Sequence, residues 1–416
     1  MTKIKLRIFQ NFSWIALGNA TAMFFGFLGN IYLARVLLPE NFGKIIYALT
    51  VVQYLILFSD FGFSTWGIRE IAKNKDKINL YFNDILSFRF IVSLLMTALF
   101  AGYVWFFTNS AWDLKILLIG TVLSLIPLSL NTEWIWQGLE KMSIAGIARS
   151  LPFVLSLLFF VFFIKKPQSY LIVPLIRFMA ITFASVSVLF LLKVKFALFS
   201  FSRIKIYLRK SFYFWLILLL LQVYHGSDII FMQIYRSSAE LGLYAASYKL
   251  VTVLIQVQAW LNLAIFPTIS NLFSSNRKEF HTVRKIFIAF SLFMGIAMLV
   301  LALLWGDKFI LLTLGSQYQS AVPVFQWLIV GAAIYSISGP FAQSLLAMGF
   351  EKSVLRQVSG CAVINLILNF ILIPRFGAYG AVWSYISAEL LAAIWIITVF
   401  YSKHNENYLY SSLPVA

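Results

Sequence analysis

Ionisable side chains inside long apolar segments are the residues of this chain that could do chemistry. Asp228, Lys249, Arg177 and Glu389 each interrupt a run of mostly apolar residues. A charged group in a membrane-spanning helix is unfavourable unless it pairs with another charge or faces a water-filled cavity. These residues therefore predict a path for an ion, a proton or a polar solute, and the surrounding helices must form that path.

The composition shows why those segments must span a membrane. Of the 416 residues, 61% are hydrophobic and 12% are charged, which excludes a water-soluble globular fold. Runs of about 20 apolar residues predict about twelve transmembrane helices. Most of the 33 Lys and Arg residues lie in one alternate set of connectors, so both termini are predicted to be cytoplasmic. The net charge of +18 therefore orients a membrane protein and does not indicate nucleic-acid binding.

The remaining reactive residue types argue against an enzyme. Cys361 is the single cysteine, and His225, His281 and His404 have no metal-ligand spacing. Paired carboxylates, a glycine-rich phosphate loop and a Ser/His/Asp set do not occur outside the predicted spans. We therefore expect no cofactor and no metal, and we leave coupling to H⁺ or Na⁺ open.

The second half of the chain repeats features of the first. Residues 34–43 have a degenerate counterpart in residues 235–242, and Gly-Leu-Glu-Lys at 138–141 has one in Gly-Phe-Glu-Lys at 349–352. Duplicated helix sets are typical of secondary transporters. We predict an all-α fold of two six-helix bundles, residues 1–195 and 211–416. A basic amphipathic linker, residues 196–210, would lie on the cytoplasmic surface against anionic membrane lipids.

Three stretches carry a family resemblance. They are residues 34–73, with Ala-Arg-Val-Leu-Leu-Pro-Glu at 34–40 and Arg-Glu-Ile-Ala-Lys at 69–73; Trp-Ile-Trp-Gln-Gly-Leu-Glu-Lys at 134–141; and residues 227–249, with Gly-Leu-Tyr-Ala-Ala-Ser-Tyr-Lys at 242–249. In these the chain resembles bacterial oligosaccharide flippases, the Wzx-type branch of the multidrug/oligosaccharidyl-lipid/polysaccharide exporter superfamily, with a MATE-like fold.

The resemblance implies a substrate and a place. Proteins of this branch move undecaprenyl-diphosphate-linked O-antigen or capsule repeat units across the bacterial cytoplasmic (inner) membrane. The resemblance also implies that the two bundles transport the substrate by alternating access. A polysaccharide polymerase and the chain-length machinery are candidate partners.

A substrate that carries a diphosphate gives the basic residues in and beside the spans a role. The candidates for a basic lumen are Arg35, Arg89, Arg177, His225 and Lys249. Each has a plainer alternative. Arg177 could extend to the outer headgroups, Arg35 and Arg89 could be interfacial anchors at the two mouths, and His225 could only pack between helices.

The acidic residues in the spans have two interpretations each. Asp228 and Lys249 are predicted at nearly the same depth of one helical hairpin, where an ion pair would either lock the hairpin or open to release Lys249 to a diphosphate. Glu389 is either a neutral, hydrogen-bonded carboxyl or a proton or sodium coupling site.

Two prolines precede the repeated Gly-X-Glu-Lys motif, Pro127 by 11 residues and Pro340 by 9. Proline removes a backbone hydrogen bond and bends a helix. We therefore predict paired bends at matching places, acting either as hinges or as static kinks.

Two other functions compete with the flippase. A cation-coupled multidrug exporter of the same superfamily would favour an acidic cavity, whereas Arg89, Arg177 and Lys249 outnumber Asp228 and Glu389. A membrane O-antigen polymerase or ligase would need a large outer loop, and the predicted outer connectors are short. The sequence favours the flippase.

Overall fold

The computed structural model describes residues 3–192, 194 and 200–411, and among these residues there is no β-strand. The helices are α1 (Lys3–Asp60), α2 (Phe63–Lys73), α3 (Ile78–Phe107), α4 (Trp112–Val122), α5 (Leu125–Ser129), α6 (Glu133–Gly138), α7 (Met142–Phe163), α8 (Val173–Phe190), α9 (Phe201–Tyr235), α10 (Ser238–Ser275), α11 (Arg277–Leu314), α12 (Val322–Ala347), α13 (Glu351–Phe376) and α14 (Ala378–Ser411). The chain forms two compact units, Met1–Gln222 (unit 1) and Val223–Ala416 (unit 2).

The helices are long and apolar enough to make this a multi-pass membrane protein. Within the described ranges, 11 helical segments could cross a membrane, and the first of them, Ser13–Asp60, contains two helices joined at a kink. When those two helices are counted separately, the prediction of about twelve transmembrane helices is confirmed. Large apolar side chains such as Phe107 (79% exposed) and Phe190 (83% exposed) lie on the outside, as hydrocarbon surroundings require.

The kink in α1 follows from one proline. Leu38 has φ 66° and ψ 165°, and Pro39 begins the second helix of α1. Proline disfavours a helical conformation in the residue before it and lacks an N–H, so it suits the first position of a new helix.

The first repeated motif holds a turn in each unit. The Asn41 side-chain nitrogen donates to the Pro167 carbonyl (3.1 Å), just before α8. In unit 2, Glu240, which lies 199 residues later, accepts a hydrogen bond from the Ala378 backbone nitrogen (2.7 Å) at the start of α14. Each motif residue thus fixes the turn before a later helix of its own unit, α8 in unit 1 and α14 in unit 2, which is a structural role.

The second repeated motif ends a helix in each unit. The residues that end the two helices are two positions out of register with the alignment of the motifs by residue identity. Glu140 (φ 60°) and Gly349 (φ 83°) are the left-handed residues. Each is followed by a backbone bond of 2.9 Å that closes the helix, from Lys141 to Trp136 and from Phe350 to Leu345. The two helix-ending residues are therefore 209 positions apart, whereas the glycines of the two motifs are 211 apart.

The two prolines do not occupy matching places. Pro127 lies 13 residues before Glu140 and Pro340 lies 9 before Gly349, a difference of about one helical turn. Pro127 has no N–H for the Leu123 carbonyl, and the chain breaks there between α4 and α5. Pro340 lies inside the uninterrupted helix α12. The prediction of matching places is wrong: the sequence motifs already placed the prolines two residues apart, and the two-residue error in register hid a further two. A hinge motion stays a prediction.

The predicted linker is largely the beginning of α9. Residues 196–199 lie outside the described residues, and residues 201–210 are helical. Arg203 forms a two-bond ion pair with the fully buried Asp84 of α3 (2.6 and 2.9 Å), and Tyr207 is buried. Protein contacts therefore hold this segment against unit 1, and the boundary between the units falls later, inside α9.

Candidate functional site

Arg89 of α3 is held by the break in the fourth predicted span. Its guanidinium donates to the Leu128 carbonyl (3.1 Å), in the last turn of α5, and to the Asn131 carbonyl (3.2 Å), between α5 and α6. Its Nε lies 3.5 Å from Oδ1 of Asp60, and the residue is only 4% exposed. Arg89 therefore binds backbone oxygens at the end of α5, where the fourth predicted span is interrupted; the Leu128 carbonyl also accepts the Asn131 backbone N–H (3.2 Å).

Arg177 is placed differently, on the protein-facing side of α8. Residues on that side are buried and those on the opposite side are exposed to the surroundings: Val173, Ile176, Ala180 and Ala184 against Leu175, Met179 and Phe183. Arg177 is half-buried among the first set. Within the part of the chain that the structure describes, its guanidinium has no hydrogen bond or ion pair. This position disfavours an arginine extended along the lipid face.

A polar cavity of about 430 Å³ lies in unit 1, around Arg89. Its charged lining residues are Asp60, Arg89, Glu133 and Arg149. Glu133 accepts hydrogen bonds from Arg149 Nε (2.8 Å) and from Gln137 (2.7 Å). Arg177 is not among the lining residues.

Two buried carboxyl groups of unit 2 are each held by a tyrosine hydroxyl. Tyr244 donates to Asp228, which is 7% exposed and also accepts the Ile229 backbone N–H (2.8 Å). Tyr224 donates to Glu389 (2.7 Å), which is 6% exposed. Both acids are therefore solvated by neutral donors, an environment in which a carboxyl can be protonated or can accept a small cation.

Further aromatic residues connect these two acids within unit 2. The Tyr248 ring stacks on Tyr244 with centroids 5.9 Å apart and meets Tyr385 edge-on at 6.1 Å. The Tyr248 hydroxyl lies 3.3 Å from Nδ1 of His225, and Tyr385 precedes Glu389 by one turn of α14. The predicted residues His225, Asp228 and Glu389 thus belong to one tyrosine-rich cluster.

Two predicted basic residues lie at the borders of these features. Arg35 is exposed, one turn before the kink of α1. Lys249 is half-buried and directly follows Tyr248 of the tyrosine-rich cluster. Asp228 and Lys249 lie on the two helices of the predicted hairpin, α9 and α10, whose turn is at Arg236 and Ser237; the ion pair between them stays a prediction.

Sequence reasoning missed the tyrosines and the second charged pair of the cavity. Tyr244 lies in the stretch 242–249 that carries the family resemblance, but nothing in the sequence pairs it or Tyr224 with an acid, because their acidic partners lie 16 and 165 residues away along the chain. Glu133 and Arg149 lie near predicted helix ends, where charges are common. No group of three or more potential metal-binding side chains occurs among the described residues.

Together, the membrane-spanning helices, the internal repeat and the buried charged residues define a polytopic transporter-type fold. The sequence family described as polysaccharide biosynthesis protein matches residues 8–273, and the chain belongs to that family. A Shigella dysenteriae protein named "Putative O-antigen transporter" is 23% identical over 396 residues, covering 93% of this chain and 98% of that protein.

Two solved structures share the fold at low sequence identity. The lipid II flippase MurJ in an inward closed conformation has a TM-score of 0.72 at 14% identity, covering 92% of this chain and 87% of MurJ. An inward-facing multidrug resistance MATE family transporter of the MOP superfamily has a TM-score of 0.72 at 13% identity, covering 92% and 95% of the two chains. These likenesses show the architecture of a MATE-like transporter.

Proposed function

We propose that this protein is a flippase rather than an enzyme. It would move an undecaprenyl-diphosphate-linked oligosaccharide, an O-antigen or capsule repeat unit, from the cytoplasmic to the outer leaflet of the bacterial cytoplasmic membrane. Membership of a polysaccharide biosynthesis family and the name of the Shigella relative support this substrate class. The shared fold of a lipid flippase and a drug exporter supports transport.

Arg177 is the observation that carries the proposal. Arg177 lies on the protein-facing side of an apolar helix and has no partner among the described residues, so a bound anion would stabilise its charge. A guanidinium binds phosphate oxygens through two parallel charge-assisted hydrogen bonds. Arg177 would therefore bind the diphosphate. Arg35 in unit 1 and, separately, His225 and Lys249 in unit 2 are candidates for other contacts with the substrate during transport. Arg89 would act indirectly, since its guanidinium already binds protein oxygens.

Transport would follow alternating access, with each state binding the headgroup with a different affinity. The duplicated helix sets and the transporter fold support this mechanism. Asp228 and Glu389 are the candidates for coupling to H⁺ or Na⁺, because a buried carboxyl hydrogen-bonded to neutral donors changes its local charge when it binds either ion. The lipid tail would stay in the bilayer.

Anionic lipids and other proteins of polysaccharide synthesis are the expected partners. The exposed Lys205, Arg209 and Lys210 of α9 would contact anionic lipids, each contributing about 1 kcal/mol. A polymerase and the chain-length machinery would consume the translocated repeat unit on the far side.

Reconstitution tests the function directly. Purified protein would be inserted into vesicles with lipid-linked oligosaccharide from the producing cells, and a membrane-impermeant lectin would report the sugar in the outer leaflet. We expect the wild type to equilibrate the two leaflets, Arg177→Gln to lose most of this activity, and the exposed control Arg356→Gln to retain it. Vesicles whose sugar stays in its original leaflet with wild-type protein would disprove the flippase.

A multidrug exporter is the second candidate, favoured by one observation. Asp228 and Glu389 are buried acids in a fold that a multidrug transporter shares. Vesicles that accumulate a cationic dye under an ion gradient, with no movement of the lipid-linked sugar, would support the exporter.

A further inference from the structure

The polar cavity of unit 1 has a composition of its own. It lies where α1 ends and α2 begins, walled by α3, α6 and α7, and its volume of about 430 Å³ is within the range of small-molecule sites. The chain at this end holds four Lys or Arg in residues 69–77 and two in residues 141–149, which belong to the connectors predicted to be cytoplasmic.

The charges in the cavity are balanced in pairs. Arg89 faces Asp60 at 3.5 Å, and Arg149 forms an ion pair with Glu133. A diphosphate would gain two guanidiniums but would be repelled by two carboxylates. A metal ion would be attracted by the two carboxylates but repelled by the two guanidiniums. Balanced charge therefore disfavours both and suits a neutral ligand.

The hydrogen-bonding groups in the cavity call for a ligand that both donates and accepts. Glu133 already accepts from Gln137 and Arg149, and Asp60 from the Ser64 hydroxyl, but each carboxylate can accept further hydrogen bonds and the amide and the guanidinium can donate further ones. Arg89 is 4% exposed, and its Nε has no hydrogen-bond partner within the described ranges. This Nε lies 3.5 Å from Asp60 Oδ1, in an ion pair without a hydrogen bond, so a bound hydroxyl that accepts from it would stabilise the site.

We propose that this cavity is a saccharide-binding site. It would hold a neutral sugar of the lipid-linked oligosaccharide, because vicinal hydroxyls each donate and accept a hydrogen bond and match alternating carboxylates, amides and guanidiniums. The inference rests on the proposed function and adds to it: the sugar is recognised in unit 1, at a place separate from the diphosphate contact at Arg177.

Protection from alkylation tests the site. The single cysteine would be removed with Cys361→Ser, and a reactive thiol placed on α2 either in the cavity lining, with Thr65→Cys, or at the exposed end of the same helix, with Lys73→Cys. At ten times its dissociation constant, lipid-linked oligosaccharide should slow maleimide alkylation of the Thr65→Cys variant about tenfold. Alkylation of the Lys73→Cys control should not change.

Two comparisons decide the chemistry of the ligand. Undecaprenyl diphosphate without sugar should give no protection, and equal protection by it would overturn the proposal. Adding Gln137→Met, which removes one polar group from the lining, should raise the concentration for half-protection about tenfold. An unchanged half-protection concentration would also count against a saccharide site here.

The same vesicles separate this inference from the proposed function. If sugar crosses the membrane but no sugar-bearing ligand protects the Thr65→Cys variant, the cavity is not a saccharide site and the flippase stands. If protection occurs but no sugar crosses, the saccharide site stands and the flippase fails.

Discussion

Two arginines that look alike in the sequence should respond differently to the same substitution. Arg89→Lys and Arg177→Lys both keep the positive charge and lose the planar guanidinium. Arg89 donates to two backbone carbonyls beside Asp60, whereas Arg177 has no partner among the described residues. We expect Arg89→Lys to lower stability and Arg177→Lys to lower transport.

The magnitudes follow from the contacts. A hydrogen bond to a charged group contributes about 1.5–3 kcal/mol, and a single ammonium cannot replace both bonds of Arg89, so Arg89→Lys should destabilise by about 2–4 kcal/mol. Arg177→Lys breaks no contact among the described residues and should change stability by less than about 1 kcal/mol. Losing one of two bonds to a phosphate should weaken substrate affinity about tenfold.

The assay pairs two measurements on each variant. Thermal unfolding of the purified proteins in one detergent gives the stability difference, and lectin access in vesicles gives the concentration dependence of transport. The reasoning would be refuted if Arg177→Lys unfolded as early as Arg89→Lys, or if it transported with wild-type affinity.

Three further perturbations test other parts of the structure. Glu389→Gln keeps an acceptor for the Tyr224 hydroxyl but cannot ionise, so transport should become insensitive to collapse of the H⁺ or Na⁺ gradient; an unchanged gradient dependence would exclude coupling at this residue. Asp84→Asn breaks the two-bond pair with Arg203 and should lower stability by about 2–4 kcal/mol in thermal unfolding, and a wild-type midpoint would contradict the anchoring of α9 to unit 1. Glu240→Ala removes the acceptor for the first amide of α14 and should cost about 1 kcal/mol by the same measurement, while a value near zero would assign no structural role to the motif.

The helices and the repeat were predictable because they depend on local sequence. An apolar run of crossing length specifies a membrane helix whatever its neighbours are, and the prediction of about twelve was confirmed. The register of the repeat was less accessible. Glu140 occupies the left-handed position in unit 1 and Gly349 in unit 2, so alignment of the two motifs by residue identity was two residues out of register and understated the difference between the two prolines.

The partners of the intramembrane charges were not predictable because they depend on tertiary contacts. Arg89 binds two carbonyls at the end of α5, residues that lie 39 and 42 positions away along the chain. Asp228 and Glu389 are satisfied by hydroxyls of Tyr244 and Tyr224, and an isolated tyrosine in an apolar run does not indicate such a role. The inward direction of Arg177 was available from the periodicity of α8, since its exposed apolar residues fall on the opposite face.

The most direct test of the account is the position of the lipid-linked sugar in cells. Cells depleted of this protein would be extracted, and mass spectrometry with leaflet-selective labelling would identify the undecaprenyl-diphosphate oligosaccharide and its leaflet. The account predicts a complete single repeat unit that accumulates on the cytoplasmic side. Accumulation on the outer side, or an unchanged lipid pool, would contradict it.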